Sequence, residues 1–326
     1  MKVLITLSHL GSRVAPVVRQ LEAQGFKVET NLTGQPYSEA ELMAALPGVF
    51  ATIAAGEAYS EAVFRAAKSL RLVARWGVGY DQIDIPAATH YGVLVAMAFG
   101  ANHEAVADGT LALMLALAEN LLPHHLRVQR GGWSFDAHPG LWRSTVGIVG
   151  LGRIGRAVAK RCRGFETRTL AYDAVPDPAY AEAQGITLVP LETLLSEADF
   201  VTLHAPHTSD TDNLIDRRRL ALMKPTAFLI NTARGGLVDE DALAEALQSG
   251  RLAGAGLDTF KREPPVGSPL LNLPNVIVSP HSAGNNLRAE ALVAERCITA
   301  ICAVARGKAP ERQYLLNPEV LATGRR

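Results

Sequence analysis

TVGIVGLGRIGRAVAKRC, residues 145–162, is the stretch on which the architecture turns. An apolar run at 145–149 leads straight into Gly150-x-Gly152-x-x-Gly155, and Ile154, Ala157, Val158 and Ala159 then open an apolar helix face. The triplet alone is a weak signal, since any glycine-rich strand–helix turn can carry it. Its setting gives it meaning. Gly150 permits a tight turn, Gly152 lets the backbone approach a pyrophosphate, and Gly155 lets helix and strand pack closely, while the helix N-terminus favours negative charge. The next expected strand ends TLAYD, with Asp173 eighteen residues past Gly155. A carboxylate there accepts hydrogen bonds from a ribose diol and repels a 2′-phosphate, and Ala174, Val175 and Pro176 supply no cation to offset that repulsion. The cofactor expected is therefore NAD rather than NADP.

Outward from this motif, apolar β-rich runs alternate with helical patterns along the chain. Before it lie Val3–Leu7, Phe26–Glu29, Val49–Ala54 and Leu70–Ala74; from it onward lie Thr145–Val149, Thr167–Tyr172, Phe200–His204, Ala227–Asn231, Ala253–Leu257 and Val276–Ser279. Such alternation predicts parallel α/β architecture, with the second series forming one doubly wound nucleotide-binding domain. Between the series, NHEAVADGTLALMLALAENLL (102–122) reads as one long helix, apolar on most faces. It requires wide burial, by crossing between domains or by packing in a dimer interface. The helical pattern Leu287–Ala305 begins a tail too short for a domain, expected to fold back onto the first series.

Bulk properties narrow the class. The 326 residues are 48% hydrophobic and 20% charged, with 32 basic and 32 acidic side chains, as in an ordinary globular protein. That balance offers nothing to a polyanion, so no nucleic-acid partner is expected. Cys162, Cys297 and Cys302 share no metal-ligand spacing, so no metal is expected, and their odd number suits reduced thiols and a cytoplasmic home. The longest apolar run, Leu111–Ala118, is far below the roughly 20 residues needed to span a bilayer, so no membrane partner is expected.

Three further segments end expected strands of the second series: INTARGG around Arg234, LDTFKREPP around Glu263 and SPHSAG around His281. Singly they read as a loop cation, a surface acid and a loop histidine. Ligands of open parallel sheets bind beyond the carboxyl ends of the strands, where these loops converge. There they supply what hydride removal from an alcohol needs. A histidine takes the hydroxyl proton, a carboxylate fixes its tautomer, and an arginine fork holds the substrate carboxylate.

With these residues in view, the chain resembles the D-isomer-specific 2-hydroxyacid dehydrogenases, in their phosphoglycerate-dehydrogenase-like branch. The resemblance runs in order from RWGVGYDQID (75–84) through EAVADGTLALMLAL (104–117), VGIVGLGRIG, ADFVTLHAPHT (198–208), LMKPTAFLINTARGGLVDEDAL (222–243) and GAGLDTF (254–260) to SPHSAG (279–284). It implies Arg234 as the substrate-binding arginine, His281 as acid/base and Glu263 as its partner. It also implies Val78 and Gly79 as backbone donors to the substrate carboxylate, and Asp258 near the nicotinamide carboxamide. Cofactor contacts are implied for Thr110, Arg153, Ile154, His204, Pro206 and Thr232. The implied fold is a Rossmann domain (101–284) inserted into a flavodoxin-like substrate domain made from 1–100 and 285–326, and the implied assembly is a homodimer. His103 and Gly109 depart from the expected pattern at the helix entry.

The substrate stays open among 3-phosphoglycerate, glycerate with hydroxypyruvate, glyoxylate and other small 2-hydroxy acids. Arg75 suits a distal anionic group such as phosphate, or equally a solvated or domain-bridging role. His9, just past the first strand, is a further pocket candidate. The rival from another class is an NAD(H)-binding corepressor-like protein, since corepressors of this family keep a similar arginine, glutamate and histidine.

Overall fold

The structure, a computed structural model, describes residues 1–323, with the side chains of His9 and Thr323 outside that description. The chain divides into two compact units, one of Met1–Asn102 with the chain from Leu287 on, the other of His103–Asn286.

The first unit holds a five-stranded parallel sheet in the order β2-β1-β3-β4-β5, made of β1 (Lys2–Ile5), β2 (Lys27–Thr30), β3 (Val49–Ala54), β4 (Leu72–Arg75) and β5 (Leu94–Met97). Alternation along the strands splits the core in two, as the pleat requires. Val3, Ile5, Ile53 and Leu72 face one layer with Val293, Cys297 and Ile301 of the helix Leu287–Ala305. Leu4, Val73 and Val95 face the other, with Leu42, Val63 and Phe64. Helices thus cover both faces, which is why the strands read as continuous apolar runs.

The second unit carries seven parallel strands in the order β12-β11-β10-β9-β6-β7-β8. They are β6 (Thr145–Val149), β7 (Arg168–Tyr172), β8 (Thr187–Leu188), β9 (Phe200–Leu203), β10 (Phe228–Asn231), β11 (Gly254–Leu257) and β12 (Val276–Val278). Strand order reverses between β6 and β9, the doubly wound arrangement expected. Two strands, β5 and β8, were not among the expected ones. The long apolar helix is also shorter than its pattern: it spans His103–Ala118, Asn120 takes the left-handed conformation (φ 49°), and a separate helix runs Leu121–Gln129. Its burial is as broad as its composition demands: Leu111, Leu113, Met114 and Leu117 share a core with Val158 and Ile230, and Val106 is buried as well.

Among the described residues no single helix is long and apolar enough to cross a membrane; the pair 103–118 and 121–129 reaches that composition only jointly, across a 61° bend.

Candidate active site

The glycine motif forms the turn its sequence anticipates. Gly150 has φ +95°, and a Cβ there would stand 2.7 Å from the carbonyl carbon of His204, so the turn nests against the end of β9. A Cβ on Gly155 would lie 2.1 Å from the Gly150 oxygen, which makes glycine obligatory where helix Arg153–Cys162 crosses its own strand. Gly152, by contrast, has open space where its side chain would be, directly at the helix N-terminus. That opening at a helix N-terminus fits a dinucleotide pyrophosphate. Arg153 is exposed in the first helical turn and Ile154 is partly buried behind it.

Asp173 bridges the same turn. Its Oδ2 accepts from the Leu151 amide at 2.7 Å and its Oδ1 from the Val175 amide at 2.9 Å. His204 stands just past β9, its Nε2 3.0 Å from Thr202 Oγ1 and its buried Nδ1 without a protein partner. Burial pushes its pKa down to about 3, so the ring is neutral at working pH. Pro206 is exposed in the loop that follows, and its carbonyl accepts from Thr211 Oγ1 at 2.7 Å. Thr110 and Thr232 are both buried, with their hydroxyls 2.8 Å apart, which ties the long helix to the end of β10.

The loops after β10, β11 and β12 meet. Asn231, the last residue of β10, donates from Nδ2 to the Arg234 carbonyl at 2.8 Å and accepts from the Ala233 amide at 3.0 Å, which shapes the turn presenting Arg234. Gly235 packs so closely on the next loop that a Cβ would fall 1.9 Å from the Phe260 carbonyl carbon. Glu263 Oε1 accepts from the Phe260 amide at 3.0 Å, and Oε2 lies 2.8 Å from His281 Nδ1. Burial raises the Glu263 pKa, but the hydrogen bond and charge of His281, the Phe260 amide and the nearby Arg234 guanidinium together outweigh it. The carboxyl is held below its usual range. With Glu263 ionised, Nδ1 of His281 carries the hydrogen and Nε2 is the edge left for chemistry. His281 itself sits at φ +52°, unusual for a residue with a side chain.

Asp258 holds that backbone. It is 1% exposed. Its Oδ1 accepts from Ser279 Oγ at 2.6 Å and the Ser282 amide at 2.9 Å, its Oδ2 from the Ala283 amide at 2.9 Å, and its carbonyl from the His281 amide at 2.8 Å. Asp258 thus braces the histidine loop, a role that the sequence left unseen together with Ser279, Asn231 and the Phe260 amide. Gly109, odd in sequence, is explained here too: a Cβ would stand 2.8 Å from Ala283 Cβ, so the long helix approaches the histidine loop only through glycine.

Arg75, Val78 and Gly79 lie in the first unit, after β4. Arg75 Nε donates to the Gly79 carbonyl at 2.8 Å, and Nη1 to the carbonyls of Trp76 at 2.6 Å and Ala54 at 3.1 Å. These bonds turn the guanidinium inward to fold the 76–79 loop, whose Val78 and Gly79 are partly exposed.

Residues 111–283 match the family described as D-isomer specific 2-hydroxyacid dehydrogenase, NAD binding domain. The chain belongs to that family. It is 42% identical to a glyoxylate reductase of Korarchaeum cryptofilum over 79% of this chain and 80% of that one. It is 40% identical to a D-3-phosphoglycerate dehydrogenase of Archaeoglobus fulgidus, matching 83% of this chain but only 51% of that longer protein. Among solved structures, the D-lactate dehydrogenase of Aquifex aeolicus, complexed with NAD and lactic acid, superposes with a TM-score of 0.83 at 30% identity, covering 94% of this chain and 96% of that one. The protein is an NAD-dependent dehydrogenase of the 2-hydroxyacid family, moving hydride between the nicotinamide and a 2-hydroxy or 2-keto acid.

Proposed function

We propose that His281 is the acid/base of this reaction, with Glu263 as its partner and Arg234 as the anchor of the substrate. The observation that carries this is the 2.8 Å contact between His281 Nδ1 and Glu263 Oε2 beside the Arg234 loop. The bound cofactor supplies or accepts the hydride. During reduction the Nε2 proton of His281 passes to the keto oxygen as that oxygen gains charge; during oxidation Nε2 takes the hydroxyl proton. Glu263 steadies the imidazolium in either direction, and the Arg234 guanidinium faces the substrate carboxylate and polarises the neighbouring carbonyl. Val78 and Gly79 supply backbone donors to the same carboxylate, with Arg75 fixing their loop. Gly150, Gly152, Arg153, Ile154 and Gly155 cradle the dinucleotide, Asp173 meets the adenosine ribose, and Thr110, His204, Pro206, Thr232 and Asp258 line its path.

The substrate domain in this reading is 1–100 with 285–326, around an inserted cofactor domain 101–284. A homodimer is supported by the apolar surface past the long helix, where Trp133 and Phe135 are 91% and 90% exposed and Leu121 and Trp142 are open as well. Free cysteines at 162, 297 and 302 support a cytoplasmic setting. The test is oxidation of NADH by purified protein against a panel of short 2-keto acids, phosphorylated and not. Turnover is expected with NADH and to be weak with NADPH. Tight NADH binding without any turnover would sink the assignment, and a preference for NADPH would overturn the part given to Asp173.

A further inference from the structure

Strand order in the first sheet reverses between β1 and β3, and open parallel sheets take their ligands beyond the carboxyl ends of the strands at such a point. The residues at this point are Thr6, following β1, and Ala55 with Glu57, following β3. Glu57 is 2% exposed, an extreme position for a glutamate. Its Oε2 accepts from Thr6 Oγ1 at 2.8 Å and from the Ala55 amide at 3.1 Å. Its Oε1 is buried and has no hydrogen-bond partner. Neighbouring donors are committed elsewhere: the Tyr59 hydroxyl donates to Thr52 Oγ1 at 3.0 Å, and Arg75 Nη1 to the carbonyls of Ala54 and Trp76. Through Ala54 and Gly79, Arg75 also ties this strand end to the Val78–Gly79 loop. A buried acceptor without a donor is costly, so this oxygen at the switch point of the sheet calls for a partner that the chain does not supply.

We propose that Glu57 is the specificity residue for the far end of the substrate, its Oε1 accepting a hydrogen bond from a hydroxyl on the carbon beyond the keto group. The proposal rests on the assignment of Val78 and Gly79 to the substrate carboxylate, the loop that Arg75 ties to the end of β3. A hydroxyl completes the shell of Oε1, a methyl group leaves it unmet, and a phosphate sets further negative charge against a carboxylate.

Steady-state reduction of hydroxypyruvate, pyruvate and 3-phosphohydroxypyruvate tests it, with the unsubstituted enzyme and with Glu57→Gln. Thr6 Oγ1 and the Ala55 amide both donate, so they hold the glutamine carbonyl at the Oε2 place and leave its NH2 where Oε1 was. An acceptor thereby becomes a donor with little change of shape. The unsubstituted enzyme is expected to favour hydroxypyruvate by about 10- to 100-fold in kcat/KM over both other acids. Glu57→Gln is expected to remove most of that preference while pyruvate stays within about twofold. Equal loss on hydroxypyruvate and pyruvate, or a preference of the unsubstituted enzyme for pyruvate or the phosphorylated acid, would overturn the proposal, and the substrate ratio decides even if the variant does not fold. Turnover of none of the three would instead break the site assignment, and the proposal with it.

Discussion

Carboxylates stand at the carboxyl ends of both sheets, and the two units treat them differently. In the second unit each is supplied by the chain itself: Asp173 by two amides, Asp258 by a serine hydroxyl and two amides, Glu263 by an amide and a histidine. In the first unit Glu57 keeps one oxygen without any donor. The difference teaches where preorganisation has been built in. The loops proposed to carry catalysis are braced by the chain itself, as charge stabilisation in a transition state requires. The far-end subsite is left for the substrate to complete, as discrimination requires.

The sharpest way to break that comparison is at the braced pair. His281→Ala is expected to lower kcat by about two to four orders of magnitude, with NADH affinity little changed, measured by single-turnover reduction and fluorescence titration. An unchanged rate would leave the Glu263–His281 contact as mere packing. The sign of the acid limb follows from Glu263. Its pKa is depressed, so its carboxylate is ionised at neutral pH and its support for the histidine is lost only as pH falls through that lowered value.

A smaller effect is expected behind the pair. Asp258→Ala strands the Ser279 hydroxyl and the Ser282 and Ala283 amides, and should cost about 2–3 kcal/mol of stability in urea unfolding. It should also lower kcat, because the φ +52° backbone of His281 loses its support. Normal stability in this variant would show that the loop braces itself by other means.

Much of this was legible beforehand. Strand ends at Val149 and Ala54 agree with the sequence pattern to the residue, because both runs are apolar on both faces and end in glycine or alanine turns. Contact between Glu263 and His281 was expected from loops eighteen residues apart, because parallel strands deliver their following loops to one edge. What escaped had no periodic signal. The strand β5, LVAM, is an apolar run that reads equally as buried helix, and β8 is only two residues long. Asn120 breaks the long helix through a backbone conformation that leaves the apolar pattern uninterrupted. Glu57 reads as an ordinary acid in a turn after a strand; neither its burial nor its hydrogen bond from Thr6, 51 residues away, has a local signal.

The smallest expected effect concerns the neutral histidine beside the glycine turn. His204 has an unfolded pKa near the ordinary 6.5 and a folded value of about 3, so between these values the unfolded chain binds a proton that the folded chain refuses. Stability therefore falls as pH drops through that window and is fully present above it. From about pH 7.5 to about pH 5.5 the loss attributable to this one ring is about 1 kcal/mol. His204→Gln keeps a polar group near Thr202 but cannot titrate, so its denaturation midpoint should vary less with pH over that range than the parent's. An unchanged slope would mean that the ring takes up a proton while folded. That would move His204 from the fixed, prepaid side of the comparison to the side that responds to what binds.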